Sequence, residues 1–325
     1  MKLVQTLIAT LALAAVTATA QTFPSKSINL MVPYPAGGVS DVIARVVNNP
    51  LAKELGQTVL VENLGGAGGA IAAQKVLSAP SDGYYVFQGS PNELILAPLA
   101  NAAVKFKSED FRMIHMISVN PLAILARPDL PASNADELAA LIIKSARDGK
   151  PLSYASVGTG SFYHLMGEQM SKLLGAPMTH VPYKGGAPIF QDLGGNQVDI
   201  VIFPYAAPQV EMAKAGRMKF ITAMSPQRQR LIPNIATVNE SKALKGFNYD
   251  IWTGYFVKKD TPEAIVQALH KAIQNTLTDT AVKTNLMTLG AEVAPAQSLD
   301  AAAKSYADGI VQMKAIAKSI NLQPQ

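Results

Sequence analysis

The chain has 325 residues, 49% hydrophobic and 16% charged, which suits about two packed domains that need no disulfide or metal staple. Cysteine is absent, which excludes disulfide frameworks, thiolate metal sites and cysteine nucleophiles together. The net charge of +5 is spread without a long basic run and aromatics are only 6%, so a nucleic-acid partner is not expected.

In chain order, residues 1–20 read as an export signal. Lys2 opens it, Leu7 to Val16 form an apolar run, and Ala18-Thr19-Ala20 supplies the small residues of a cleavage site. That run is shorter than the ~20 apolar residues that span a bilayer. Export of a cysteine-free chain fits the periplasm.

The rest alternates strand and helix. Ile28 to Val32 reads as a buried strand, Asp41 to Leu55 as a helix that Pro50 should kink or end, and Thr58 to Glu62 as a second strand. Ala70 to Leu77 is a helix and Tyr84 to Gln88 a third strand, an order that predicts a parallel sheet with right-handed crossovers. Leu122 to Ala126 reads as a strand, and Ser133 to Arg147 as a helix capped by Ser133 or Asn134. A second α/β run follows, with strands at Leu152–Ser156, Thr179–Tyr183, Val198–Phe203 and Met218–Ala223. Helices are expected at Ser161–Leu174, Gly186–Leu193 and Ala206–Ala215. Gly195-Asn196 and Gly216 sit where helix ends need left-handed residues. Trp252–Val257 is a last strand, before helical stretches Pro262–Leu277, Ala281–Leu289 and Ser298–Ile320. The fold class is therefore α/β. The division expected is residues 21–122 plus 251–325 as one lobe and 123–250 as the other, with crossing segments near Leu122–Arg127 and Tyr249–Val257.

The chemistry concentrates at strand-to-helix turns. In Pro33-Tyr34-Pro35-Ala36-Gly37-Gly38-Val39-Ser40-Asp41, the glycines leave amides uncovered and Ser40 or Asp41 is placed to cap the helix. The free N–H groups and the helix dipole make this turn an anion site, at the strand end where open α/β sheets bind ligands. Gly65-Gly66-Ala67-Gly68-Gly69 repeats the arrangement, without the acidic residue of a dinucleotide fingerprint. Ala155-Ser156-Val157-Gly158-Thr159-Gly160-Ser161 adds hydroxyls from Ser156, Thr159 and Ser161. No catalytic motif is found: Ser161 is not in a G-x-S-x-G elbow, and His164 with Glu168 gives too few ligands for zinc. No metal, cofactor or catalytic residue is expected. Asp192 and Asp199 read as turn and cap residues.

The residues Pro33 to Arg45, Val61-Glu62-Asn63 with Gly65–Gly69, and Tyr154 to Ser161 with His164-Leu165 and Gly167-Glu168 together resemble the Bug-type solute-binding proteins, the periplasmic receptors of tripartite tricarboxylate transporters. His180 to Gly185, Asp192-Leu193 and Gln197-Val198-Asp199 extend the resemblance over the whole exported chain. It implies a two-lobed periplasmic binding protein (Venus flytrap), each lobe a mostly parallel sheet flanked by helices, with two crossing segments as hinge. It implies a carboxylate held by Tyr34, Ala36, Gly37, Gly38, Ser40 and Asp41, with Ala67, Gly68, Ser90 and Asn92 on the same lobe. From the second lobe it implies Ser156, Thr159, Gly160, Ser161 and His164, with Phe203, Pro204 and Tyr205 as cleft wall. The partners implied are a small carboxylate and inner-membrane transporter subunits; a sensor kinase is the partner only in an alternative reading, and a monomer is expected.

Opposed anion-binding turns suit a ligand with a carboxylate at each end. Tyr34, Phe162, Tyr163, Phe203 and Tyr205 are placed to stack on an aromatic acid. The alternatives are an exported hydrolase using Ser161 and His164, or a receptor presenting itself to a sensor kinase. Ser161→Ala and Gly38→Val should both weaken binding without unfolding the chain, the second more strongly.

Overall fold

The computed structural model describes residues 23–319 and 322–324. The expected export signal, its cleavage after Ala20 and the last residue of the final helix lie outside them. Among the described residues no helix is long and apolar enough to cross a membrane.

The first unit is built from β1 (Ile28–Val32), α1 (Val39–Leu55), β2 (Val59–Asn63), α2 (Ala70–Ser78) and β3 (Tyr85–Gly89). β1 pairs in parallel with β2 on one side and β3 on the other, as the strand–helix alternation requires. Ile43, Val47 and Leu51 lie one turn apart on α1 and are buried with Ile28, Leu30 and Val32 of β1. That packing carries α1 through Pro50 to Leu55. Of the two expected effects the ending does not occur: the helix continues past Pro50, although proline removes a helix hydrogen bond. After β3 a wide helical turn at Asn92–Leu96 runs into the short α3 (Ala97–Ala100), which the prolines at 91 and 98 hid from the sequence reading.

The largest departure from expectation is β4, a strand of 16 residues from Phe111 to Ala126 rather than the five expected. Its first part pairs antiparallel with β9 (Asp250–Lys258), as far as Pro121 opposite Asp250. Its last part pairs with β7 (Ile200–Pro204), beginning at Leu122 opposite Pro204, and with β8 (Lys219–Ala223). One strand thus belongs to both halves of a sheet ordered β2-β1-β3-β9-β4-β7-β5-β6, where β5 is Ser153–Ser156 and β6 Thr179–Pro182, with β8 and β10 (Glu292–Val293) also on β4. Its first part was hidden because consecutive residues Met113, Ile114 and His115 are all buried, which erases the period-2 signal. Two register shifts against β9 disturb the period further.

The second unit holds α4 (Ala135–Arg147), β5 (Ser153–Ser156), α5 (Phe162–Leu174), β6 (Thr179–Pro182), α6 (Gly186–Gly194) and α7 (Ala207–Lys214). β5 pairs in parallel with β6 and β7. Asn134, not Ser133, caps α4 by accepting from the Glu137 amide at 2.9 Å. Asn196 rather than Gly195 takes the left-handed position after α6. Asp199 is a structural clamp: it accepts from Arg127 Nε at 2.7 Å and from the Ser153 amide at 2.7 Å, tying β4, β5 and β7. The chain then returns through β9 to α8 (Glu263–Thr278), α9 (Thr280–Thr288), β10 and α10 (Leu299–Ser319), which cover the first unit. The result is a two-lobed α/β architecture on one curled mixed sheet.

Candidate ligand-binding site

The turn after β1 is pinned from three sides. Asp41 Oδ2 accepts from the Gly37 amide at 2.9 Å and from Arg45 Nε at 3.0 Å. Burial pushes the Asp41 carboxyl up, but the Arg45 guanidinium and the Gly37 amide outweigh it and hold it below the usual range. Asn63 Nδ2 donates to the Tyr34 carbonyl at 3.1 Å, and Gln88 Nε2 donates to the Ser40 carbonyl at 2.7 Å. Neither Ser40 nor Asp41 caps α1. Gly38 is its N-cap, with no side-chain hydrogen bond, and Asp41 reaches back from the first turn instead. The structure gives the expected stronger effect of Gly38→Val no strained backbone to act through. Gly38 is extended, with φ −80° and ψ 169°, and an added Cβ would meet only the Pro35 carbonyl at 3.6 Å. Gly37 is the position that needs glycine here, at φ +84°. Ala36 and Gly37 stand exposed at the tip.

The turn before α2 places Ala67 exposed and Gly68 buried, both left-handed at φ +49° and +64°. The turn after β3 brings in a residue that the sequence reading missed. Glu93 is 1% exposed, and its Oε2 accepts from the Ser90 amide at 2.6 Å and from Ser90 Oγ at 2.7 Å. Burial pushes its carboxyl up to about 7. Its Oε1, Tyr34 Oη and Asn92 Nδ2 are buried without a hydrogen-bond partner. Burial, and next the Glu93 carboxyl, hold the Tyr34 phenol well above its ordinary value. The signal was present in the sequence: Glu93 is a lone charge ahead of the apolar run Leu94-Ile95-Leu96-Ala97.

In the second lobe the turn after β5 is braced by histidines. Ser161 caps α5 by accepting from the His164 amide at 3.3 Å. His164 Nδ1 accepts from the Gly160 amide at 2.9 Å, so that nitrogen carries no proton. Burial lowers the His164 pKa, and Glu168 opposes the shift. The His164 ring stacks on His180 at 4.1 Å, and His180 Nε2 shares a 2.7 Å hydrogen bond with Ser156 Oγ. Burial, then His164, brings His180 down to about 4. Tyr154 donates to Glu168 at 2.5 Å. Ser156 and Ser161 therefore spend their hydroxyls inside the turn, while Thr159 stands exposed at its tip. The Ser161 hydroxyl meets the His164 backbone, whereas the His164 ring serves Gly160; this is the geometry of a braced turn. Ser161→Ala should lower stability by about 1 kcal/mol through loss of the cap. Thermal denaturation would show it as a small fall in Tm, and an unchanged Tm would show that the cap contributes nothing.

The turns of the two lobes meet. A Cβ built on Gly158 would lie 3.3 Å from the Gly68 amide nitrogen, and one on Gly185 would lie 2.5 Å from Pro35 Cδ. One on Gly65 would lie 3.1 Å from the Lys184 carbonyl, and one on Gly160 would overlap the Ala100 methyl. Asn92 Oδ1 accepts from the Phe162 amide at 2.6 Å, joining the turn after β3 to the start of α5. The lobes are thus closed, with a glycine at each of the first four of these contacts. Behind the seam Tyr163 packs on Phe203 at 4.4 Å, and Pro204 ends β7 opposite Leu122. Tyr205 leans edge-on against Phe220 at 5.2 Å. Tyr34, Phe162, Tyr163, Phe203 and Tyr205 are each at most 8% exposed and act as packed walls.

Comparison with known proteins agrees with this architecture. Residues 43–322 match the model of the tripartite tricarboxylate transporter family receptor. A UPF0065 protein of Bordetella pertussis is 34% identical over 320 residues, covering 98% of this chain and 97% of the relative. The periplasmic binding protein BugD superposes with a TM-score of 0.86 at 32% identity, over 93% of this chain and 100% of its own. MatC from Rhodopseudomonas palustris, solved with bound malate, superposes with a TM-score of 0.83 at 29% identity, over 90% of this chain and 99% of its own. With its two lobes, its opposed glycine turns and a family match over most of its length, this chain belongs to the tripartite tricarboxylate transporter receptor family.

Proposed function

We propose that this protein captures a small carboxylate in the periplasm and hands it to inner-membrane transporter subunits. The cleft would hold the acid between Tyr34, Ala36, Gly37, Gly38, Ser40, Asp41, Ala67, Gly68, Ser90 and Asn92 on one lobe and Ser156, Thr159, Gly160, Ser161, His164, Pro204 and Tyr205 on the other. The observation that carries this reading is the seam itself. Two glycine-rich turns at helix starts are pressed together, beside buried polar atoms of Tyr34, Asn92 and Glu93 that have no partner. Helix-start amides favour an anion, and unpaired buried groups favour an occupant that pairs them. Binding without reaction suits a site whose serines and histidines are engaged in holding its turns.

The hinge proposed lies at the boundaries 122/123 and 250/251. It is supported by β4, which leaves β9 at Pro121 and takes up β7 at Leu122. The malate held by MatC makes a C4 dicarboxylate the first probe to try. Calorimetry of the exported chain against malate, adipate, citrate and benzoate should give one saturable event for at least one acid. Absence of heat for every acid, with circular dichroism showing a folded chain, would overturn the proposal.

A further inference from the structure

A second cavity, of about 570 Å³, lies between the α8–α9–β10 side of one lobe and the Tyr205 and Gln229–Leu231 segments of the other. None of the glycine-turn residues facing the seam lines it, and of the residues assigned to the cleft only Tyr205 does. Leu231, Leu277, Val293 and Ala294 make its floor apolar. Two of its polar lining residues are buried, His115 at 1% and Tyr205 at 2% exposure. His115 Nε2 and Tyr205 Oη are both buried without a hydrogen-bond partner. Buried polar groups are paired in the great majority of cases, so two orphans on one cavity point to an occupant.

The chemistry of that occupant follows from the His115 ring. Its Nδ1 lies 2.5 Å from the Met116 carbonyl oxygen, which can only accept, so Nδ1 carries the proton. Burial lowers the His115 pKa and keeps the ring neutral, with His270 stacked on it at 5.4 Å. Nε2 is therefore a bare acceptor that needs a donor. Burial, and next Glu292, keep the Tyr205 phenol protonated, so it offers a further donor. Lys283 and Arg230 stand at the mouth with Glu292, and Arg230 also donates to the Met287 carbonyl of α9.

We infer that this cavity is a second ligand site, for a small ring-sized organic acid bearing a hydroxyl. The hydroxyl donates to His115 Nε2, the ring lies on the Leu231–Leu277 floor, and the carboxylate faces Lys283 and Arg230. The volume admits one substituted ring, and the apolar floor disfavours a fully polar tricarboxylate. Because both lobes line the cavity, its occupant favours the closed arrangement, and by linkage it tightens whatever the cleft holds.

The probe is 4-hydroxybenzoate, with benzoate as the control that lacks the hydroxyl. The chain has four histidines, so the ring resonances can be followed by NMR and assigned with single His→Gln variants. The expected result is a saturable shift of the His115 resonance with 4-hydroxybenzoate, at least ten-fold weaker with benzoate. Thr278→Trp, an exposed position on the rim, should weaken the effect at least ten-fold. No His115 shift at millimolar 4-hydroxybenzoate, an equal response to benzoate, or an unchanged response in Thr278→Trp would each overturn the inference. Shifts confined to His164 and His180 would place the acid in the cleft and also overturn it. Failure of the cleft reading is seen separately, as absence of heat for the whole acid panel.

Discussion

Gly160→Val should abolish high-affinity carboxylate binding while leaving the chain folded. Gly160 lies at φ +79° on the turn before α5, where an added Cβ would overlap the Ala100 methyl of the facing lobe. Neither neighbour can yield cheaply. Ala100 is 2% exposed at the end of α3, and Gly160 is held by the bond from its amide to His164 Nδ1. The open form escapes the clash with Ala100 but not the strain of a β-branched residue at positive φ, so the substitution lowers Tm as well as acting against closure. An overpacked contact of 1–3 kcal/mol or more against closure lowers affinity by roughly 10- to 100-fold or beyond. Gly175→Ala is the control. It shares a left-handed φ of +60° at the end of α5, but nothing lies within 4 Å of its Cβ. It should lower Tm slightly through backbone strain and leave affinity intact. Calorimetry on the two variants decides the matter: equal affinities would show that the closed seam is not the binding state.

Glu93→Gln should raise Tm at pH 8 and leave it unchanged at pH 4. The folded chain holds the Glu93 carboxyl at about 7, above the ordinary 4.5, because burial disfavours its charge. Between those values the folded state keeps a proton that the unfolded state has released. Stability therefore falls as pH rises from about 4.5 to about 7, and the deficit is complete above that window. A shift of this size corresponds to roughly 3 kcal/mol. Glutamine keeps an oxygen to accept from Ser90 and removes the ionisable group, so it recovers that deficit. His164 and His180 act with the opposite sign: their depressed values cost stability as pH falls below about 6.5, a loss that for His180 runs down to about 4. Both proteins contain these histidines, so the difference in Tm between variant and parent isolates Glu93. A difference that does not vary with pH would show that Glu93 is not the titrating group.

Glu93 also illustrates where the sequence reading stopped. The strand β1, the glycine turn after it and the helix α1 follow from local pattern, because apolar periodicity and turn chemistry act over a few residues. The Ser161 cap of α5 was legible for the same reason. The first part of β4 was not, because a strand covered by helices on both faces loses its alternation. Asp41 was correctly placed at the turn but misread as a cap, since only the fold shows its carboxylate reaching back to Gly37 and across to Arg45.

By itself the sequence determined the strand–helix alternation, the three glycine turns at strand ends and the absence of thiol chemistry. These properties are written in spacing and composition. Only the tertiary structure decided which glycines matter and why. Gly158 is apposed to Gly68 and Gly160 to Ala100 because β4 carries the chain from one lobe to the other and folds distant turns face to face. It also decided that Glu93 is buried against the Ser90 turn, with a charge that depends on its surroundings. Distances between residues 60 to 90 positions apart, and the dielectric around a carboxyl, are set by packing and have no local signature in the chain.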